Sequence, residues 1–489
     1  MFRNVLPSTF LLYLLTTTPL VSAQERISFD SILSLTSQNL PSNSNTTIAI
    51  PTSSNLTISL SICSFSAKFF VTNTTDSRIV EIPVREGMAA FSGSFNDGGT
   101  LTIESVNGGG SGTVQVGVSE KGPLQEHLVN FPLLGDTTSN QALLFSPPFA
   151  LQRQEEPSYP NYTLPVSIPV TQPSSTPNFT LVVSLGSQRD QVGCVLQNFT
   201  SAATASQGNV ANRTNWLKDA REGWREQWLI EGLSSQTNYS AFVVQDGKKI
   251  SGPAYFLTKS SSFSCPLVAS LPFCPGVSYA VPLAPPTAPS TMYDGSNIPK
   301  TIVDGITQYM TNFTTSLTTF ACGRDFYSPL QTCSDCQREY RRWLCTIALP
   351  RCGEASSTST PASASAPASQ GQSRRLFARL LSTRDDSQPQ QPLSALAPQP
   401  STASSRSPLL PPFNTSYNLL LPCIETCQST DRACPVSLGF KCPPTNRFQK
   451  MANQSYGVGI VDGIEDDQEK LGTAGASSDI WGNVWCNGG

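Results

Sequence analysis

The sequence predicts a multidomain protein in which N-terminal all-β sandwich regions are followed by a disulfide-rich domain. Three observations lead there. Short stretches of alternating apolar and polar residues fill the first half, twelve of the fourteen cysteines fall from Cys265 onward, and charged residues make up only 13% of the chain, about half the share in ordinary globular proteins.

The first β region is read over residues 24–140. SNLTISLSIC, AKFFVTN, IVEIPV and GTVQVGVSE alternate with period two and are separated by the turn signals NDGG and NGGG. Strands this short and this evenly spaced predict a sandwich. A second β region, residues 141–260, opens with a proline-rich stretch and continues through FTLVVSLG, EQWLIEGL and SAFVVQDG.

Cysteine-rich segments at 261–352 and 412–489 are expected to form one domain, interrupted by residues 353–411. That interruption is low in complexity and has few large apolar groups, so it is expected to be a disordered insertion. Loop closure costs rise only logarithmically with length, which makes such an insertion tolerable inside a stapled domain. Arg374-Arg375 within it is a candidate processing pair, although an exposed basic pair in a linker commonly has no role.

Residues 1–23 read as a signal peptide: Arg3, a leucine-rich apolar stretch, then Val21-Ser22-Ala23, small residues that suit cleavage after Ala23. The alternative is a retained membrane anchor. Against it, the stretch is interrupted by Thr16, Thr17, Thr18 and Pro19 and falls short of the roughly 20 apolar residues of a spanning helix. The processed chain is expected to be soluble, so any link with ion flux would run through a partner that spans the bilayer.

Eleven sequons, at Asn45, Asn55, Asn73, Asn161, Asn178, Asn198, Asn212, Asn238, Asn312, Asn414 and Asn453, are candidate N-glycosylation sites. In a chain this rich in Ser and Thr, some match by coincidence. A formal net charge of -3 provides no basic stripe for phosphates, which argues against nucleic acid as a partner.

Catalysis finds no support in the residue inventory. His127 is the only histidine, no GxSxG elbow is present to use it, and it is expected to be a lone surface side chain. No local pattern selects a carboxylate pair among the 34 acidic residues. A zinc site at Cys333-Ser-Asp-Cys336 lacks a second CxxC. Asp462, Glu465, Asp466 and Asp467 lack the alternating ligand positions of an EF-hand and read as a solvated turn. GGGSG at 108–112 is not followed by the lysine of a phosphate loop. No catalytic residue, metal or cofactor is expected.

Two resemblances sharpen these readings. Trp228-Leu-Ile-Glu-Gly-Leu233 through Thr237-Asn-Tyr239 resembles the part of a fibronectin type III module that leads into its tyrosine corner, where a buried hydroxyl ties back to an upstream backbone carbonyl. An ordinary amphipathic hairpin is the alternative. Further on, the succession CPLVASLPFCPGVSYAVP, CQREYRRWLCTIALPRC and PCIETC resembles the Frizzled-type cysteine-rich domain, which implies a mainly α, disulfide-rich fold.

That resemblance implies pairing of Cys265 with Cys352, Cys274 with Cys345, Cys336 with Cys434, Cys423 with Cys486, and Cys427 with Cys442. Whether Cys333 or Cys336 takes the third position stays open, the eight-residue interval before Cys345 favouring Cys336. Cys322 and Cys333, close in sequence around FYSPL, are then expected to pair, leaving Cys63 and Cys194 to join the two β regions.

Around FACGRDFYSPLQTCSDCQREYRRWLCTIALPRC the chain looks like the fungal stretch-activated calcium-channel component, the regulatory subunit of the high-affinity calcium influx system. Auxiliary factors of the animal sodium-leak channel have a similar cysteine-rich unit. The likeness implies an extracellular, plasma-membrane regulatory subunit supporting stress- or stretch-activated calcium influx through a separate pore-forming, voltage-gated-type subunit, with passage through the secretory pathway and the endoplasmic reticulum. The competing function is a receptor-like or lipid-binding ectodomain. Phe326, Tyr327, Tyr340 and Trp343 are the candidate interface aromatics, with core packing the alternative, especially for Trp343.

Overall fold

A computed structural model describes residues 25–36, 45–64, 66–75, 78–105, 112–152, 156–157, 172–186, 192–199, 207–219, 222–319, 322, 327–354, 396–443, 455–457 and 486–489. The signal peptide, Phe326, Arg374-Arg375 and the acidic cluster from Asp462 lie outside the described residues. Two compact units divide the chain, residues 1–126 and 127–489.

Unit 1 is a β-sandwich. One sheet orders Glu25–Arg26, Asn45–Ile50, Gly99–Ser105, Ala67–Asn73 and Ile79–Ile82; the other orders Ser31–Thr36, Thr113–Ser119, Ser53–Cys63 and Met88–Phe95. The period-two pattern explains the packing. Leu56, Ile58, Leu60 and Ile62 from one sheet meet Ile48, Phe69, Leu101 and Ile103 from the other in a single core, and each such side chain contributes about 1.5–3 kcal/mol by burial. Ser59 and Ser61 on the opposite face of their strand are also buried. Gly117, paired with Ser59, has no room for a side chain: a Cβ there would lie 2.9 Å from Ser59 Oγ and 3.2 Å from Leu124.

Unit 2 begins with a second sandwich. Leu133–Thr137, Gln141–Phe145, Gly223–Glu231 and Asn209–Asp219 form one sheet, and Lys249–Leu257, Asn238–Gln245 and Phe179–Leu185 form the other, edged by the short strand at His127. Leu133–Thr137 pairs with Gln141–Phe145, so the division between compact units falls after Glu126 and not near residue 140. His127 is half-buried, its Nε2 2.9 Å from Gly252 O, which corrects the expectation of a lone surface histidine.

The buried tyrosine of the corner is Tyr239, 2% exposed. Its hydroxyl accepts a hydrogen bond from Ser234 N–H at 2.9 Å; the expected carbonyl partner is not the one used. Thr258 Oγ1 donates to Ser234 O at 2.6 Å, so that carbonyl is already satisfied.

Strand Gly223–Glu231 is buried along nearly its whole length, because both faces of its sheet are covered. Trp228 and Ile230 enter the sandwich core. On the other face Leu229, Leu143 and Phe145 pack against Cys265, Leu267, Ala269 and Cys352 of the cysteine-rich layer.

The cysteine-rich layer mixes helices with short strands. It contains α2 (Lys300–Thr318), α3 (Cys333–Ala348) and α4 (Ile424–Ala433), counted after α1 (Val192–Phe199) in the sandwich, with a ribbon of Leu267–Val268 and Tyr279–Ala280. A three-stranded sheet orders Arg351–Gly353, Tyr417–Leu420 and Leu396–Gln399.

The last strand shows that residues 396–411 do not belong to a disordered insertion. Leu396–Gln399 pairs with Tyr417–Leu420, and Leu410 is buried against the core that holds Ile302, Ile306 and Leu349. A few well-placed leucines and one strand partner suffice to order a segment whose composition alone reads as linker.

Candidate functional site

Helix α3 organises the candidate site. Thr332 caps it: its hydroxyl accepts from Asp335 N–H while Asp335 returns a carboxylate to Thr332 N–H, a reciprocal capping box. Asp335 and Glu339 also hold the buried Arg338 at 2.9 and 2.8 Å.

Disulfides then lock the helix from three sides. Cys333 is bonded to Cys322, Cys336 to Cys434 and Cys345 to Cys274. Cys265–Cys352 ties the ribbon to the small sheet, while Cys423–Cys486 and Cys427–Cys442 both hold the start of α4. Cys63 and Cys194 are oxidised as well, and no described cysteine is free. Each bridge typically contributes about 2–4 kcal/mol. With Cys333 and Cys336 both in disulfides, neither thiolate is available for zinc.

The candidate interface aromatics are largely packed. Tyr327 Oη lies 2.6 Å from Thr332 O and 2.7 Å from Ala433 O, tying the start of α3 to the end of α4. Tyr340 stacks on Phe313 of α2 with ring centroids 3.6 Å apart. Trp343 meets the Phe440 ring edge-on at 4.9 Å and donates from Nε1 to Tyr456 Oη at 3.1 Å. Both remain half-buried at the edge of the core.

Among the described sequons, Asn45, Asn55, Asn178, Asn212, Asn238, Asn312 and Asn414 are exposed. Asn73 is half-buried: its Nδ2 donates to Ser94 O at 2.7 Å and its Oδ1 accepts from Thr75 N–H at 3.0 Å. Asn161 and Asn453 lie outside the described residues, as does the side chain of Asn198.

On another face of α3, a cavity of about 100 Å³ opens against the turn between strands Asn209–Asp219 and Gly223–Glu231. Its charged lining is Lys218, Glu222, Arg338, Arg341 and Arg342, and its floor includes the Cys274–Cys345 bridge. Trp216 Nε1 donates to Pro275 O at 3.0 Å, pinning the hairpin to the floor. Burial, reinforced by the charges of Arg342, Arg351 and Arg225 against only Glu222, pulls the Lys218 ammonium down to about 8.

The sequence reading missed this cavity. REYRRW was a visible signal on the helix, but Lys218 and Glu222 stand far away along the chain and nothing local pairs them with it.

A second charged group lies at the seam between the sandwich and the cysteine-rich layer. Asp136 accepts from Lys259 Nζ at 2.6 Å, Arg351 Nε at 3.0 Å and the Ala280 amide at 3.1 Å. Burial pushes this carboxyl up, but the charges and hydrogen bonds of Arg351 and Lys259 outweigh it and hold the group down at about 2.

Comparison with known proteins decides the family. The model of the Mid1 family, described as the stretch-activated Ca2+-permeable channel component, matches residues 32–473. The chain belongs to this family. It is 36% identical to the stretch-activated cation channel MID1 of Cryptococcus neoformans over 431 residues, covering 81% of this chain and 65% of that protein. It is 29% identical to the stretch-activated cation channel yam8 of Schizosaccharomyces pombe over 258 residues, 51% of this chain and 44% of that one. With the Saccharomyces cerevisiae MID1 channel it shares 26% identity over 245 residues, 47% of this chain and 37% of that one. The chain thus spans less than two thirds of the length of each of these relatives, all named for channel activity rather than catalysis. Among the described residues, no helix is long and apolar enough to cross a membrane.

Proposed function

We propose that this member of the Mid1 family is an extracellular regulatory subunit of a plasma-membrane calcium channel, supporting stretch- or stress-activated influx through a separate pore-forming, voltage-gated-type subunit. The observation that carries the reading is the combination of family membership with a cysteine-rich layer closed by six described disulfides. Such a density of bridges belongs to an oxidising compartment, hence to the secretory pathway and the outer face of the membrane. The signal peptide over 1–23 and the N-glycans are part of the same reading.

In this account the cysteine-rich layer is a Frizzled-type module whose rigidity presents a fixed docking face. α3 is bridged to the loop before it, to the end of α4 and to the ribbon. Three attachments to one helix leave little conformational freedom to lose on association, which favours binding by a preorganised surface.

Affinity purification of the tagged chain from detergent-solubilised membranes tests the reading. A channel-type polypeptide with multiple spans should co-purify, and reduction before capture should release it. Recovery of the tagged chain alone, under conditions that keep known membrane complexes intact, would count against it.

A further inference from the structure

We propose that the cavity between α3 and the Lys218 hairpin is a binding site for a small phosphate-class oxyanion. By the same measure of volume, one water needs about 10–15 Å³, so about 100 Å³ has room for several waters or for one tetrahedral anion. The lining suits the second. Lys218 and Arg342 face it together with Arg338 and Arg341; Glu222 is the one acidic side chain among the described lining residues, and Gly489 lines the site beside Arg342.

The two ends of the site come from different layers and are fixed independently. Lys218 is held over the Phe145 ring at 5.4 Å, on a strand tied down by the Trp216–Pro275 hydrogen bond. Arg342 donates from Nε to Gly488 O at 2.8 Å, which orients its planar fork, and guanidinium groups match phosphate oxygens in two-point geometry. Arg338, ion-paired with Asp335 and Glu339, serves as wall more than as ligand. Glu222 is shared with Arg225 at 3.9 Å, so it does not balance Lys218 alone. The unrelieved positive field is also felt by Lys218 itself, whose ammonium loses its proton more readily than a solvated lysine because of burial and of Arg342, Arg351 and Arg225, with Glu222 opposing. An anion seated between Lys218 and Arg342 would relieve that field. Its floor is covalently closed by Cys274–Cys345, so the donors need not reorganise to receive it.

The phosphate could be inorganic or the headgroup of a lipid. Calorimetry on the purified full-length glycoprotein, with inorganic phosphate at constant ionic strength and chloride as control, tests the site itself. We expect saturable binding, weakened about tenfold or more by Lys218→Met or by Arg342→Gln, the loss of one charge-assisted contact. Glu222→Gln should tighten binding, and all three variants should keep the wild-type melting temperature in chloride. Vesicles of phosphatidylcholine with and without a phosphoinositide separate the sources. Recruitment abolished by the same variants assigns the headgroup; phosphate binding without recruitment assigns the free ion. No phosphate binding above the chloride control, or binding that survives both Lys218→Met and Arg342→Gln, overturns the proposal. So does loss of co-purifying protein in these variants without any phosphate affinity, which would make the cavity a protein contact.

Discussion

Arg351, the first residue of the small sheet that follows α3, donates from Nε to Asp136 Oδ2 at 3.0 Å, and Asp136 lies on the sandwich strand Leu133–Thr137. Both side chains are under 10% exposed. Lys259, two residues past the last sandwich strand, completes the group. The sandwich and the cysteine-rich layer are thereby joined by a buried carboxylate held between two cations, in addition to the apolar contacts around Leu143 and Leu229.

Removing the carboxylate leaves two buried cations uncompensated. Asp136→Asn should therefore destabilise unit 2 by about 3–5 kcal/mol, read as a fall in melting temperature or as retention before secretion. Replacing Asp136, Lys259 and Arg351 together with apolar residues of similar size should cost much less. If Asp136→Asn melts like the wild type, the group is not the joint described here.

The same group dictates an acid limit. The carboxyl is held at about 2 in the folded chain, against roughly 3.9 when unfolded, so its contribution is complete above the unfolded value. Stability from this source should fall as pH drops from about 4 to 2, the range over which the unfolded chain takes up the proton first. Denaturant titrations at pH 5, 4 and 3 should show the decline, and Asp136→Asn should flatten it.

Loss of a bridge on α3 should be more disruptive than loss of a surface contact. Cys345→Ser frees Cys274 and opens the floor of the cavity, at a cost of about 2–5 kcal/mol. Pulse-chase should show the variant retained, and peptide mapping without reduction should find Cys274 in mispaired species. Secretion at the wild-type rate would contradict this.

Two hydrogen-bonding residues of the β regions make finer tests. Tyr239→Phe leaves the Ser234 N–H without its hydroxyl partner and should cost about 1–3 kcal/mol. In protein made without glycans, Asn73→Gln should lower the melting temperature, because the longer side chain cannot keep both the Ser94 and Thr75 hydrogen bonds. Asn312→Gln, at an exposed helix position, should not. Equal effects at the two positions would show that Asn73 has no structural part.

What was legible in the sequence was whatever depends on local period. Leu56, Ile58, Leu60 and Ile62 announce a sandwich strand by alternation, and they are buried in that register. Trp228 and Tyr239 announce the second sandwich in the same way. Arg225, Glu226 and Gln227 are charged or polar, yet all three are buried. Distant partners meet most of their polar groups: Arg225 donates from Nη1 to Ser146 O, Glu226 pairs with Arg213, and Gln227 donates to Ser270. Local alternation carries no trace of a second layer packed on the outer face of a sheet. For the same reason Lys218 and Arg342 could not be brought together, and Leu396–Gln399 was hidden in a linker-like composition until its strand partner was known.

Under the proposed function, this chain supports calcium entry only together with a separate pore-forming subunit. Radiolabelled calcium uptake under membrane stress tests it most directly, in cells that express the chain, the pore subunit, both or neither. Stimulated uptake is expected only when both are present, and should be lost when Cys345→Ser replaces the wild-type chain. Stimulated uptake with the chain alone, or uptake through the pore subunit undiminished by the chain's removal, would contradict it.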